Sequence, residues 1–395
     1  MDMVEIELSL LSAASWDTSI ETLVKVFEQR EFSHVKVNHK NWETAWSDMM
    51  SGNGRSVLPS VSEVGTTWVP DLARIDALKP VPTRLMEKLG GEEDYLPQLW
   101  KSCFSFGKPQ MWAVPWISGS RVIYYRRDLL AQAGVNPDTA FANPQSMLEA
   151  VVRLHEAGVI AHPWITSNVT SLNSLHLIST WIWAGGGDFT SEDGQQLLFA
   201  EPGAIENMAA FFEMGRYMGD RPQEYSYNGA IDLFWHGDAA ITMDGTWRYD
   251  VQKATANPEV LDNLGVALAP GPAFVGGSNL VVWANTTNMD AAWNLLMFLS
   301  EPDFLLTVFN LTGLAPAKLN LLNLSQVRAR AFGPVFNRAM ETGRSLPNHH
   351  FSGMVEDMLQ YAFGLVWADV LKYPQRDPHD ILTEHLTPLK EPWIA

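Results

Sequence analysis

The sequence predicts an α/β protein built as two lobes. Three observations carry this. At 395 residues the chain exceeds what one hydrophobic core comfortably serves. Strand and helix signals alternate from the N-terminus, the order that builds parallel sheets with right-handed crossovers. The composition, 46% hydrophobic and 18% charged, is that of a globular chain.

The elements follow in order. "VEIELSLL" alternates apolar and polar residues and reads as a first strand. "DTSIETLVKVFEQREF" sets Ile20, Leu23, Val24 and Phe27 on one helical stripe, with Thr18 and Glu21 offering a capping box. "HVKVNHK" is a second strand, and "SVSEVGTTW" a third that ends at Trp68. Helices are expected at "PQSMLEAVVRLHEAG", with Gly158 as the stop, and at "GAIENMAAFFEMGRYM", "NMDAAWNLLMFLS" and "HFSGMVEDMLQYAFGLVW". In "HGDAAITMDGTW" the apolar run Ala239 to Met243 is a buried strand, and Asp244-Gly245 supplies the turn chemistry that ends it. "APGPAFVGGS" (269–278) reads as a connector between halves. There is no internal repeat and no low-complexity segment.

Charge and motifs exclude several functions. A net charge of -18, from 45 acids against 27 bases, argues against nucleic acid and against an anionic membrane surface. The single cysteine, Cys103, rules out an intrachain disulfide and a Cys-based zinc cluster. No run of eighteen apolar residues is present. The N-terminal stretch lacks a basic n-region and is interrupted by Glu5 and Glu7, so it reads as a strand and not as a signal peptide. Walker, dinucleotide-glycine, nucleophile-elbow and HExxH motifs are all missing. "AGGGD" (184–188) lacks phosphate-loop spacing and reads as a tight turn. Adjacent His349-His350 suit a loop better than a metal, and His379 and His385 share no helical face. Carboxylates are plentiful, but abundance does not make a catalytic pair.

Tryptophan is the distinctive resource: there are 16. Trp181, Trp183 and Trp293 lie inside apolar or helical runs and read as core. Trp16, Trp42, Trp68, Trp116 and Trp247 fall where strands are expected to end. Ligands of open α/β sheets bind beyond the carboxyl ends of the strands. An indole face there matches the C–H face of a pyranose, with neighbouring polar groups for its hydroxyls. Five such positions make a carbohydrate cleft the economical reading.

The same stretches resemble the extracellular solute-binding proteins of bacterial ABC importers, in the large sugar-binding family that includes maltose-binding protein. "GKPQMWAVPWISGSRVIYYRRDLLAQAGVNP" is similar to a family pattern of Gly-Lys, an aromatic, Val-Pro, then Tyr-Tyr-Asn-Lys-Asp-Leu and Ala-Gly. "IETLVKVFEQREFSHVKV", "LPSVSEVGTTWVPDLARIDALKPV", "AGGGDFTSEDG", "FWHGDAAITMDGTW", "LAPGPAFVGGSNLVVWANTTNMDAAWNLLMFL" and "GLAPAKL" fall in family order over nearly the whole chain. Departures are Arg126-Arg127 in place of Asn-Lys, expected on the surface, an extra residue in the Gly107-Lys108 loop, no carboxylate near Thr67, and divergence after Gly364.

The resemblance implies the two-lobed periplasmic-binding-protein fold of type II, each lobe a mostly parallel sheet flanked by helices, with a ligand cleft between lobes. It implies an N-terminal lobe of 1–115 plus 276–318 and a C-terminal lobe of 116–275 plus 319–395. Trp247 matches the aromatic platform after the family's Gly-x-Trp, with Arg248 beside it. Thr67 and Trp68 match a polar-then-aromatic pair, and Trp16 and Asp17 the first strand-to-helix loop. Ser118, Gly119 and Ser120 follow the first crossing, and Gly277 and Ser278 lie at the return. His176 and Phe351 align with ligand-touching aromatics. Plainer roles stand beside these: Asp17 as a helix cap, Trp42 as packing, and Ser118 to Ser120 as hinge turn. The implied activity is capture of a mono- or oligosaccharide by hinge closure and delivery to importer permease subunits, by a monomer without cofactor or metal. The implied location is periplasmic or extracellular and lipid-anchored, with any signal peptide outside this sequence. Two alternatives remain. A same-fold receptor for a polyol or polyamine would call, for polyamine, for several acids at the cleft. A sugar-active enzyme would need a carboxylate pair.

Overall fold

The computed structural model describes residues 3–11, 17–51, 59–105, 107–219, 223–349 and 352–390, without the side chains of residues 17–19, 43 and 51. The chain divides into two compact units. Unit 1 is Met1–Gly119, Gly276–Arg330 and Asn348–Gly353; unit 2 is Ser120–Val275, Ala331–Pro347 and Met354–Ala395. Residues 116–119, 319–330 and 348–353, expected with the second lobe, group with unit 1. Local bonds hold the latter two segments there: Arg330 donates to the Gly313 carbonyl, and Asn348 to the carbonyls of Lys101 and Phe104.

Eleven strands occur among the described residues: β1 Val4–Leu11, β2 Ser33–Lys40, β3 Val61–Gly65, β4 Phe104–Ser105, β5 Lys108–Met111, β6 Val114–Arg126, β7 His162–Ile165, β8 Ala239–Gly245, β9 Leu264–Leu268, β10 Val275–Val282 and β11 Ala315–Pro316.

In unit 1, β1 lies parallel to β2 and to β3. The helix Asp17–Glu31 makes the crossover between β1 and β2, burying Ile20, Val24 and Phe27 on one stripe. Their spacing of four and three residues places them on one helical face. β10 runs antiparallel against β3, with Ser278 opposite Gly65, and β11 antiparallel against the first part of β6. The helix Met289–Leu299 buries Trp293, Leu295 and Leu296. In unit 2, β7 is parallel to β8, while β6 is antiparallel to both β8 and β9. Strand-helix-strand reasoning covers the parallel pairs. The antiparallel ones come from strands that enter where the chain passes from one unit to the other, so the sheets are mixed.

Unit 2 has a core rich in fully buried aromatics, including Trp164, Trp181, Trp235 and Trp367, with Trp183 also buried. The glycines of "AGGGD" form a close approach and not a phosphate loop. A Cβ on Gly185 would lie 2.1 Å from the Gly203 carbonyl oxygen at the start of the helix Pro202–Met214. Arg126 departs from the surface expectation. It is buried, because its guanidinium is bonded by Asp128 at 2.6 Å and Glu259 at 2.8 Å, while Arg127 stays exposed. Among the described residues no single helix is long and apolar enough to cross a membrane, and no group of three His, Cys, Asp or Glu could hold a metal.

Candidate functional site

In unit 2 the site is built around the end of β8. Asp244 and Gly245 are the last two residues of the strand, Thr246 follows, and Trp247 caps the short helix Arg248–Gln252. The indole folds back over the glycine: a Cβ at position 245 would sit 2.3–2.4 Å from three carbons of its six-membered ring. Gly245 is therefore required by the tryptophan that follows it, as well as by the strand end. Thr246 ties this corner to β6, its N–H donating to the Ser120 carbonyl at 2.9 Å.

Asp244 is wholly buried and organises the charges. Its Oδ1 accepts from the Tyr227 hydroxyl and from the Gly245 N–H, and its Oδ2 accepts from Arg248 Nε at 2.5 Å. Arg121, which faces Gly245 across the β6–β8 ladder, places Nη1 3.6 Å from the same carboxylate. Arg121 also donates to the Tyr227 hydroxyl at 3.0 Å and to Asn173 Oδ1 at 3.1 Å, and its guanidinium lies 5.1 Å from the Trp247 ring centroid. Burial pushes the Tyr227 phenol above its ordinary range, so it stays neutral. Burial would lower the Arg248 guanidinium, but Asp244 more than offsets this and holds it charged. His176 stacks on Phe274 with centroids 3.8 Å apart and planes 8° apart. Burial, then the charge of Arg121, pushes its pKa well down, and its Nε2 has no hydrogen-bond partner among the described residues.

Unit 1 repeats the corner at the end of β3. Gly65 closes the strand, Thr66 donates its N–H to the Gly277 carbonyl, and Trp68 caps the helix Val69–Arg74. A Cβ on Gly65 would lie 3.0 Å from the Trp68 ring. Trp42 and Trp46, one turn apart on the helix Trp42–Ser51, pack on Trp68 at 5.4 and 5.5 Å, and both are half-buried. Thr67, next to Trp68 in sequence, is half-buried, and Trp68 itself is buried. Beneath the corner, Glu63 is wholly buried, accepting from the Leu11 N–H at 2.8 Å and the Ser278 hydroxyl at 2.5 Å. Burial lifts its pKa to about 7, with those two bonds opposing the rise.

The remaining expected positions fall as follows. Trp116 is not at a strand end. It is fully buried inside β6, donating to the Leu299 carbonyl at 2.9 Å, because the strand continues through the expected crossing. Ser118, Gly119 and Ser120 are strand residues and not a turn. The Ser118 hydroxyl is committed to the Ala315 carbonyl and the Ser120 hydroxyl to the Ala339 carbonyl. The Ser278 hydroxyl is likewise committed to Glu63. Gly277 is a backbone position, with φ 154° and the Ile117 carbonyl oxygen 2.1 Å from where a Cβ would stand. Trp16, Phe351 and the side chain of Asp17 lie outside the described residues.

Sequence reasoning missed Asp244 as a charge organiser, Arg121, Asn173, Tyr227, Trp46 and Glu63. A signal existed for Trp46, four residues after Trp42, and for Asp244, four residues before Arg248. None existed for Arg121, whose partners are 106 and 52 residues away in the chain.

The fold is that of the two-lobed α/β periplasmic binding proteins. The chain belongs to the bacterial extracellular solute-binding protein family, whose model matches residues 13–304. The diacetylchitobiose binding protein DasA of Streptomyces coelicolor is 25% identical over 354 residues, covering 86% of this chain and 78% of that protein. The sn-glycerol-3-phosphate-binding periplasmic protein UgpB of Salmonella typhimurium is 24% identical, covering 72% of this chain and 67% of that one. Among solved structures, the GacH receptor of Streptomyces glaucescens, determined unliganded and with acarbose, shares 19% identity at a TM-score of 0.83 over 98% of both chains. Maltose-bound MalE3 of T. maritima shares 19% at a TM-score of 0.82, over 98% of this chain and 99% of that one. At such identity these two likenesses are of fold.

Proposed function

We propose that this chain is the substrate-binding component of a bacterial ABC importer and captures a carbohydrate, closing by hinge bending on the bound sugar before delivery to the permease. The observation that carries this is the pair of strand-end corners. Each unit ends a strand in glycine, follows it with threonine and brings tryptophan to the corner: Trp247 is part-exposed in unit 2, while in unit 1 Trp68 is buried and the half-buried Trp42 and Trp46 pack on it. An indole backed by a glycine offers an apolar face bordered by hydrogen-bonding groups, the combination a pyranose needs. The relatives named for diacetylchitobiose, maltose and acarbose support the same ligand class. A monomer acting in the periplasm, or lipid-anchored outside the cell, fits the family.

The alternatives are weaker. Two arginines at the β8 corner disfavour a polyamine. Asp244, wholly buried and bonded by Arg248, Tyr227 and the Gly245 amide, is not free to act as a general acid or base, which disfavours a sugar-active enzyme. A polyol remains compatible with the site chemistry.

The test is titration of intrinsic tryptophan fluorescence with a panel of mono- and oligosaccharides and polyols, with solution scattering on any that bind. A saturable response, reduced at least tenfold in affinity in Trp247→Ala and accompanied by compaction, is the expected result. Silence across every sugar would overturn the carbohydrate reading, and binding without compaction would overturn hinge closure.

A further inference from the structure

The corner at the end of β8 in unit 2 holds one more positive charge than the carboxylate bonded there neutralises. Arg121 and Arg248 both close on Asp244, and their side chains are only 4% and 14% exposed. No second carboxylate joins them among the described ion pairs. Asp250, two residues beyond Arg248, is taken by Lys253 at 2.8 Å. Tyr227 and His176, the other titratable groups at this corner, are both held neutral by burial. Two guanidinium groups against one carboxylate leave an excess of one positive charge, in a chain whose total is -18. A partly desolvated guanidinium without a matching anion is costly, and its planar fork is shaped for carboxylate or phosphate oxygens.

A second observation is independent of the charges. His176 is 9% exposed, and its Nε2 has no hydrogen-bond partner among the described residues. The ring is fixed by its stack on Phe274 and lies near enough to Arg121 to feel that charge. Polar atoms this deeply buried are ordinarily bonded, so an orphan beside a charged cluster marks a place for a ligand atom. Asn173, Trp247 and Arg248 are the part-exposed residues at this corner. They form the side from which a ligand can reach the cluster.

We propose that unit 2 binds the anionic group of an acidic ligand, with Arg248 and Arg121 as its charge partners and His176 as a hydrogen-bonding neighbour, so that the carbohydrate is a uronic acid or a sugar phosphate. The sugar part of this statement rests on the carbohydrate reading above; the anion part rests on the charges alone.

Calorimetric titration with matched pairs tests it: glucuronic acid, galacturonic acid and their oligomers against glucose, galactose and theirs, and glucose 6-phosphate against glucose. Inorganic phosphate and glycerol 3-phosphate serve as anions without a sugar ring. The expected result is a preference of at least tenfold for an acidic member over its neutral counterpart. That preference should be lost in Arg248→Gln and largely kept in Arg248→Lys, which retains the charge. Binding by uronates but not phosphates, or the reverse, identifies the anion. A neutral sugar that binds as well as its acidic partner would overturn the anionic inference and leave the carbohydrate reading standing. Phosphate or glycerol phosphate binding without any sugar would do the opposite. No binding by any anionic probe would overturn the inference outright.

Discussion

Glu63 shows how one buried group makes stability depend on pH. Its pKa rises from an ordinary 4.5 to about 7 through burial. Between those values the folded protein holds a proton that the unfolded chain releases. The resulting contribution to stability is complete below about pH 4.5 and is lost as pH rises through 7. The full difference is roughly 3 kcal/mol. Glu63→Gln, which cannot titrate, should gain in stability relative to the wild type between pH 5 and pH 8. Urea midpoints at the two values measure this; an equal difference at both would refute it. Trp247 presents a steric case, in which close packing and not titration sets the neighbouring residue. A glycine two positions earlier is retained so that the ring can lie where it does.

At the scale of elements, two helices of unit 2 meet at glycines. The helix Leu172–Ala184 ends at Gly185, and Pro202–Met214 begins beside Gly203, so each Cα faces the other's carbonyl. A Cβ on Gly203 would meet the Gly185 carbonyl oxygen at 2.5 Å. Gly203→Ala should lower stability by about 1–3 kcal/mol through that overlap, read as a lower denaturant midpoint at unchanged slope; an unchanged midpoint would show that the junction gives way. The same scale explains what could be read from the chain. The helix Asp17–Glu31 and the strands beside it were legible because their signals are local: an apolar stripe, alternation, then a break. The glycine turn at 184–188 and the β8 corner were legible for the same reason. The course of β6 was not. Ser-Gly-Ser within it resembles turn chemistry, yet pairing with β11 on one stretch and with β8 and β9 on the next keeps it extended. The Arg121 and Tyr227 part of the Asp244 network was hidden because those two residues reach the carboxylate only through tertiary packing.

At the scale of the whole molecule, a net charge of -18 surrounds a corner that carries local positive charge. Long-range repulsion slows the approach of an anion, while the short-range arginines hold it once it arrives. Salt shortens the reach of the first effect, the screening length being about 10 Å at 0.1 M, and acts less on buried groups. The association rate constant of an acidic sugar should therefore rise severalfold between low and physiological salt, and that of a neutral sugar should stay flat. Stopped-flow tryptophan fluorescence measures both. A rate that falls with salt would mean that the local positive field governs capture.

The unbroken run of β6 has a consequence for how this chain can change over generations. Its 13 residues alternate faces, and the register passes from Ser118, bonded to Ala315, to Arg121, opposite Gly245. Gain or loss of one residue between them would turn every later side chain of the strand to the other face. Arg121 would leave Asp244, and the β9 pairing would shift with it. Descendants of this sequence are therefore held to its length in that stretch. The turn at 191–196, which is closed by local hydrogen bonds, lies outside this register and can lengthen without shifting it.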